Sequence, residues 1–389
     1  MRRRADLLAI SVLIILPFLF FWPVVFGGRT LVPADNLFAW EPWRSVAGQY
    51  GVWAPHNQLL SDLILENYVW KLFVRQALAA GELPLWNPYL FSGVPFLAAG
   101  QHSAMYPLSV VFYVLPLHRA YGVFSALQLA LAAVGAYAFL RTLGARPGGA
   151  FVAGAAYAFS SFMVVSVAFT MMIAAAAWLP WCLLALELAI RRSEVLFTAE
   201  IAENAKGGDR EGRRAHCDVG CADRDVGQAR GCAPLLPSPA GAGQAVGGSL
   251  PSPTPVGEGP GVRAAAPWLV AGAVFLGNQV LAGHVEITYY VLLILAFYAG
   301  WRLVQAWRTN HRLPWRAGLL VTGMLALGLS LGAVQLLPLY ELVRDNFRSG
   351  AAVYQVTYED VAGWAYPWRQ LATFVVPDFY GNPSIHRYF

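Results

Sequence analysis

Apolar runs of roughly twenty residues recur along this chain, each long enough to cross the ~30 Å hydrocarbon core of a bilayer as a helix. Short polar segments rich in arginine separate them. The first run follows Arg2, Arg3 and Arg4 and is longer than the core of a signal peptide, so we predict a retained transmembrane helix. The pattern predicts about seven spans: Leu7–Phe26, Tyr121–Leu140, Gly149–Phe169, Met172–Ile190, Trp268–Leu281, Ile287–Val304 and Ala317–Leu339.

The distribution of arginine between these runs predicts the orientation. Cytoplasmic connections carry an excess of positively charged residues. Alternate connections here are rich in arginine, which predicts a cytoplasmic N-terminus and an extracytoplasmic first loop. The apolar stretch Pro107–Leu117 is too short to cross and is typical of a re-entrant or interfacial piece. The arginines assigned to the cytoplasm are Arg2, Arg3, Arg4, Arg141, Arg146, Arg191, Arg192, Arg302, Arg308, Arg312 and Arg316.

The composition agrees with a lipid-embedded protein. The chain is 57% hydrophobic and 13% charged, with a mean hydropathy of +0.49, whereas soluble domains carry about 25% charged residues. The net charge of +5 is spread between apolar spans, so no nucleic-acid partner is expected. None of the four cysteines lies in a predicted outer loop, so no disulfide framework is indicated. We therefore predict an all-α, polytopic transmembrane helix bundle with a large first extracytoplasmic loop.

Two stretches differ from the rest of the chain. Residues 194–266 are rich in Pro, Gly and Ser and cannot bury enough apolar surface to offset chain entropy, which predicts a disordered insertion. His216 and three nearby cysteines match no paired metal-ligand spacing.

The tail reads as the middle of an outer domain and is expected to be truncated. The predicted segments are 1–26, the first transmembrane helix; 27–106, an extracytoplasmic loop with an interfacial helix; 107–193, the re-entrant piece and three spans; 194–266, the cytoplasmic insertion; 267–339, the last three spans; and 340–389, the extracytoplasmic tail.

Apolar residues at helical spacing predict an amphipathic helix over Leu59–Ala80, ended by Gly81 and Pro84. Asp62 and Glu66 are four residues apart and share one flank of it. Such a helix can lie in the membrane interface with its carboxylates towards a substrate. An ordinary surface helix with a solvated acidic flank fits the same spacing. The apolar stripe comprises Leu59, Leu63, Trp70, Val74 and Ala77, with Lys71 and Arg75 on the other flank.

Asp35 is a second candidate, because it follows the first span by only a few residues. A carboxylate held near the bilayer surface can act as a general base towards substrates with a buried lipid half and a wet polar half. It would deprotonate an acceptor hydroxyl that attacks a sugar–phosphate carbon. The alternative is a turn or N-cap role, which is common for Asp followed by Asn.

Three further polar residues lie at the predicted ends of spans. His284 and Glu286 occupy the connection between the fifth and sixth spans, on the same side as the first loop, where they could bind phosphate, coordinate a metal or pair with each other. A wet helix–helix turn is the alternative. Gln335 lies late in the seventh span, where its amide needs a partner and serves either as contact between helices or as part of a cavity wall.

Several motifs resemble the YfhO family of bacterial multi-pass membrane proteins. They are Asp35 after the first span; Asn57 to Asp62; Leu83-Pro84-Leu85-Trp86-Asn87-Pro88, followed by Ser92-Gly93-Val94-Pro95; Gln101 before Tyr106-Pro107; Gly283-His284; and Gln335-Leu336-Leu337-Pro338. That family is similar to the GT-C glycosyltransferases, which take a sugar from a polyprenyl-phosphate donor on the outer face of the membrane.

The resemblance implies a GT-C-like fold in the bacterial plasma membrane and a transfer of sugar to a cell-envelope glycopolymer or lipid. It implies Asp35 as the base, with Asp62 and Glu66 as further catalytic candidates. It implies membrane lipids, the polyprenyl-phosphate sugar and the envelope acceptor as partners; a divalent metal is compatible with the family but not indicated by the sequence. The implied substrate-binding residues are Trp86, Asn87, Gln101, His284, Glu286 and Gln335.

Two other functions fit the sequence. A transporter or flippase for lipid-linked sugars would bind its substrate near the bilayer midplane on broken helices. The predicted spans have few charged residues in their middles, and the polar residues collect near their outer ends, which favours chemistry at the surface. A truncated, inactive member of the family is the third possibility.

Overall fold

The computed structural model describes residues 2–90, 92–194, 260–310, 314–345, 357–362, 367–374, 376, 379, 381–382 and 387–388. Within these ranges the chain is mostly helical, as predicted, with two short hairpins. Most of the predicted insertion, with His216 and its neighbouring cysteines, lies outside them, as does much of the tail. The helices are α1 (Arg2–Phe20), α2 (Trp22–Val25), α3 (Tyr68–Ala79), α4 (Phe96–Ala99), α5 (Val110–Val114), α6 (Leu117–Thr142), α7 (Pro147–Ala158), α8 (Ser161–Val165), α9 (Thr170–Ala177), α10 (179–194), α11 (Pro260–Leu281), α12 (Val285–Asn310), α13 (Trp315–Leu331), α14 (Ala333–Asp345) and α15 (Tyr358–Ala362).

The described part of the chain contains three helices that are long and apolar enough to cross a membrane, or up to five spans if each of two bent pairs is one span. The three are Leu117–Thr142, Thr170–Glu194 and Val285–Thr309, which contain or largely cover three of the predicted spans. The helix over the first predicted span, α1, is not among them, because charged residues occupy its first turns. The protein is therefore a helical protein with several candidate membrane spans.

Two predicted spans are bent rather than straight. The segment Pro147–Ala158 meets Ser161–Ala168 at an angle of 40°. The hydroxyl of Ser160 accepts a hydrogen bond from the backbone N–H of Met163, which starts a new helix at that point. The second bend is larger, since α13 and α14 meet at 73° beside Gly332. This bend turns α14 towards the first loop, where it packs against α4.

Close helix packing dominates the centre of the bundle. The most extensive pairing joins α11 and α13. A Cβ added at Gly328 would lie 2.8 Å from the side chain of Leu276, and one at Gly332 would lie 2.5 Å from Val280. Small residues at such positions let two helix backbones approach closely in lipid, where no hydrophobic force separates or joins them.

Charged side chains cluster at the end of the bundle opposite the first loop. The buried carboxylate of Glu187 on α10 accepts hydrogen bonds from Arg191, from Arg302 at 2.7 Å and from the hydroxyl of Tyr298 at 2.9 Å. A carboxylate removed from water needs such partners, because an unpaired buried charge is costly. This cluster therefore ties α10 to α12.

The helix predicted over Leu59–Ala80 lies where it was expected, but it is not one continuous α-helix. A 3₁₀ turn over Gln58–Leu60 and a π-helical turn over Leu63–Asn67 precede α3. The wider π-turn rotates the residues before it relative to those after it. Leu59, expected on the buried stripe, is 63% exposed, whereas Lys71, expected on a flank, is 1% exposed. One helical stripe cannot describe both halves of this segment.

The first loop, residues 27–106, contains one of the hairpins. Strand β1 (Trp86–Asn87) pairs antiparallel with β2 (Val94–Pro95), so that the predicted Leu-Trp-Asn-Pro motif forms a strand and its turn. The second hairpin, β3 (Gly381–Asn382) with β4 (Arg387–Tyr388), lies in the tail. The ring of Trp86 lies over Gly93, and a side chain at that position would overlap the indole. The motif therefore has a clear structural role in the loop.

The first loop is docked onto the bundle by a backbone contact. Gly100 and Gly283 both have positive φ, 74° and 85°, and a Cβ added at Gly283 would overlap the carbonyl oxygen of Gly100. Beside this contact the hydroxyl of Ser103 donates a hydrogen bond to the carbonyl of Ala282 at 2.7 Å. On the other side, Nε2 of Gln335 donates to the carbonyl of Leu97 at 2.8 Å. In this structure the loop therefore contacts both the α11–α12 turn and α14.

We expect Gly283→Ala to lower the free energy of unfolding by about 2–4 kcal/mol, because it adds both overpacking and left-handed backbone strain. Gly81→Ala is the matched control. Gly81 also has positive φ, 76°, but no atom lies within 4 Å of the position its Cβ would take, so only the backbone strain of about 1–2 kcal/mol applies. Thermal unfolding of the two purified variants in the same detergent measures the difference; equal losses would mean that the Gly100–Gly283 contact contributes nothing.

Candidate functional site

A pocket of about 180 Å³ opens where the first loop meets the bundle. Four of the residues singled out from the sequence line it: Asp62 and Glu66 from the turn before α3, Gln101 from the segment after α4, and His284 from the turn before α12. The two most distant of these residues in the chain, Asp62 and His284, are 222 positions apart. The rest of the lining is Leu63, Asn67, Trp70, Phe169, Met171 and Met172.

The π-turn over Leu63–Asn67 shapes the acidic side of this pocket. Single π-turns inside helices often occur at functional sites, where the extra residue per turn re-aims side chains. Here the turn leaves Glu66 facing the pocket beside Asp62 while Leu63 stays buried against the bundle. Asp62 also accepts a hydrogen bond from the hydroxyl of Ser61 at 3.4 Å. Both carboxylates therefore serve one wall, as their spacing predicted.

Glu66 is the carboxyl group whose ionisation the site disturbs. Partial burial raises its pKa, and the neighbouring carboxylate of Asp62 raises it further. Both effects disfavour the charged form, because partial burial removes hydration and the neighbouring negative charge repels a second one. A carboxylate with a raised pKa is a stronger proton acceptor.

Asn67 links the elements that surround the pocket, and sequence reasoning did not select it. Its side chain is 2% exposed. Oδ1 accepts a hydrogen bond from the hydroxyl of Tyr121 at 2.9 Å, and Nδ2 donates to the carbonyl of Gln101 at 3.4 Å and approaches the sulfur of Met171 at 3.8 Å. One amide therefore contacts α6, the loop and α9. Its only signal in the sequence is a polar residue four positions after Leu63 on a face that proves buried.

His284 completes the opposite wall. Its Nδ1 accepts a hydrogen bond from the backbone N–H of Ile287 at 3.3 Å, which caps the start of α12. Burial lowers the pKa of this imidazole, although the nearby carboxylate of Glu286 acts in the opposite direction. With Nδ1 accepting, the neutral ring carries its proton on Nε2, which is then a hydrogen-bond donor.

The other predicted residues do not line this pocket. Asp35 accepts a hydrogen bond from the backbone N–H of His56 at 2.6 Å, which joins two parts of the first loop that are 21 residues apart rather than capping a local turn. Glu286 is exposed at the start of α12. Asn87 caps its own turn by accepting from the N–H of Tyr89 at 3.0 Å, and Trp86 beside it is 55% exposed. Gln335 is buried, with Nε2 on Leu97 and no hydrogen-bond partner on Oε1, so it joins α14 to the loop.

The chemistry available in the pocket is acid–base chemistry beside an apolar wall. One wall offers the carboxylates of Asp62 and Glu66, and the other offers the side chains of Phe169 and Met172. Within the described ranges no group of three or more His, Cys, Asp and Glu side chains is arranged to hold a metal ion. The pocket thus combines a proton acceptor, amide and imidazole hydrogen-bonding groups, and a surface that suits the apolar part of an amphipathic substrate.

Comparisons with protein-family models, with curated proteins and with solved structures find no match to this chain.

Proposed function

We propose that this protein is a membrane glycosyltransferase that uses a polyprenyl-phosphate sugar as donor. The base removes the proton from an acceptor hydroxyl, whose oxygen bonds to the anomeric carbon of the sugar. The bond between that carbon and the phosphate oxygen breaks, and polyprenyl phosphate leaves with the electron pair. The acceptor is a cell-envelope glycopolymer or lipid on the outer face of a bacterial plasma membrane.

The observation that carries this proposal is the shared pocket of Asp62, Glu66, Gln101 and His284. General-base catalysis needs a proton acceptor with a pKa close to the working pH, held within reach of the hydroxyl. Burial and the charge of Asp62 both raise the pKa of Glu66, which moves this carboxyl group in the direction that a general base needs. We therefore assign the base to Glu66 rather than to Asp35, whose carboxylate is engaged by the backbone of His56.

The apolar side of the pocket supports a lipid-linked substrate. Phe169, Met171 and Met172 lie at the start of the segment Thr170–Glu194, which combines α9 and α10 and is long enough to span a membrane. A donor whose lipid part lies along the bundle could then present its sugar to the carboxylates on the loop. Trp70 supplies an aromatic surface in the same pocket, and aromatic rings with a polar edge favour the boundary between lipid and water.

The proposal includes the topology predicted from the sequence. About seven spans with a cytoplasmic N-terminus, in a GT-C-like arrangement of the YfhO family, put the first loop outside the cell. In that orientation the Glu187 cluster lies at the cytoplasmic end, and the pocket lies at the outer end of the bundle. Envelope acceptors reach the pocket from that side.

Transport of lipid-linked sugars is a second candidate, because two of the candidate spans are bent. Discontinuous helices are common at substrate sites of transporters, and the bends here measure 40° and 73°. Reconstituted vesicles separate the two functions. A transporter moves a labelled lipid-linked sugar between leaflets with the sugar–phosphate bond intact, whereas a transferase releases polyprenyl phosphate.

The Glu66→Gln variant tests the assignment of the base. We expect about a 10²–10⁴-fold loss of transfer rate, because general-base catalysis contributes roughly that factor. The measurement is the incorporation of labelled sugar from a polyprenyl-phosphate donor by membranes holding equal amounts of protein. Glu82→Gln, which removes an exposed carboxylate just after α3, is the control and should retain full activity. A larger loss in Asp35→Asn than in Glu66→Gln would return the role to Asp35.

The pH dependence of transfer tests the coupling between the two carboxylates. A base must be deprotonated, so activity should fall as the pH drops through the raised pKa of Glu66. Asp62→Asn removes the negative charge that raises this pKa and should therefore move the acidic limb of the rate profile to lower pH. The profile of the wild-type protein in the same membranes is the reference. An acidic limb that stays in place would show that Asp62 has no electrostatic influence on the base.

A further inference from the structure

Lys71 is the most unusual buried group outside the proposed chemistry. It lies on α3, one turn after the residues that line the pocket, and only 1% of it is exposed. Its Nζ donates to the carbonyl of His102 at 3.2 Å and lies 4.2 Å from the centre of the Phe112 ring. No carboxylate within the described ranges forms an ion pair with it. Burial of an amine without an ion pair disfavours its charged form, whereas the face of the Phe112 ring favours it.

One partner of Lys71, the carbonyl of His102, belongs to a segment that contributes to the pocket wall. His102 directly follows Gln101, which lines the pocket. The imidazole of His102 donates from Nε2 to the carbonyl of Phe96 at 3.0 Å and accepts at Nδ1 from the N–H of Ala104 at 2.9 Å. With one nitrogen donating and the other accepting, this ring is neutral. Lys71 and His102 together hold residues 96–104 against α3, and neither brings a compensating charge.

The surrounding elements offer no charge that would stabilise an ammonium. The turn before α3 carries Glu66, but that carboxylate faces the pocket, and burial is the one effect that acts on the pKa of Lys71, lowering it to about 7. Burial and the nearby amine lower the pKa of His102 to about 4. The other titratable groups on α3, on residues 96–106, on α5 and at the start of α6 are Tyr68, Arg75, Tyr106, Tyr113, His118, Arg119 and Tyr121.

We propose that Lys71 is a proton-controlled latch for the pocket: its neutral amine lets residues 96–104 close on α3, and protonation releases them. The inference concerns access to the site of the proposed function, but the latch can be measured without any sugar transfer. In the open form the amine is in water and titrates near its ordinary value, so closing the loop releases a proton. Below about pH 7 both forms are protonated and the equilibrium no longer changes.

The sign and size of the effect follow from this linkage. Between about pH 7 and the ordinary lysine value of about 10.4, the closed form loses the proton and the open form keeps it. Each pH unit in this window should therefore favour closure by about tenfold. Higher pH closes the pocket, and lower pH opens it until the dependence ends near pH 7.

Hydrogen exchange of the amides in residues 96–104 measures the open population. The full-length protein in lipid nanodiscs is compared with Lys71→Met, which keeps the length and apolar contacts of the side chain but cannot be charged. Each exchange rate is taken as a ratio of wild type to variant at the same pH, so that the intrinsic dependence of exchange on pH cancels. We expect this ratio to fall by about tenfold per pH unit from pH 7.5 to 9.5.

Two further variants make the test specific. Arg75→Met removes the cation one turn later on α3, which donates to the carbonyl of Leu115, and should leave the pH dependence of wild type intact. Glu66→Gln should also leave it intact, whether or not that variant transfers sugar, so failure of the latch and failure of the proposed function are distinguishable. A ratio that stays constant with pH, or a Lys71→Met variant that keeps the wild-type dependence, would overturn the proposal.

Discussion

The close approach of two backbones, at Gly100 in the first loop and at Gly283 between α11 and α12, is the contact on which the pocket depends. A Cβ at Gly283 would overlap the Gly100 carbonyl, and a Cβ at Gly100 would lie 3.0 Å from Nε2 of Gln335 and 3.3 Å from the carbonyl oxygen of Gly283. Because the two segments meet without side chains between them, the next residues, Gln101 and His284, become neighbours in one pocket. A glycine pair thus places polar groups that the chain separates widely.

Buried polar groups on the inner face of the loop helix have a cost that the surrounding structure offsets unevenly. The side-chain oxygen of Asn67 accepts a hydrogen bond from Tyr121, and its nitrogen donates to the carbonyl of Gln101 and approaches the sulfur of Met171. The amine of Lys71 contacts one hydrogen-bond acceptor, the carbonyl of His102, and the ring of Phe112. A change of protonation in a group so incompletely paired would alter the balance between its burial and its hydration.

The helices supply a frame whose ends differ in character. At one end, the buried Glu187 is satisfied by two arginines and a tyrosine, which makes a fixed junction between α10 and α12. At the other, the carboxylates of Asp62 and Glu66 face an open pocket, where partial burial and then the charge of Asp62 raise the pKa of Glu66. The negative charge of Glu187 is therefore paired at the junction of two helices. The negative charges of Asp62 and Glu66 instead face a pocket in which a substrate could bind.

The sequence by itself determined the helical class, the long apolar segments and the common flank of Asp62 and Glu66, because hydrophobic periodicity and i,i+4 spacing are local properties of the chain. Tertiary structure decided the rest. The bend beside Gly332, the π-turn at Leu63–Asn67 and the burial of Lys71 arise from packing between segments distant in the chain, which leaves no periodic mark. For the same reason Asn67 escaped notice: only the meeting of α6, α9 and the first loop gives its amide partners.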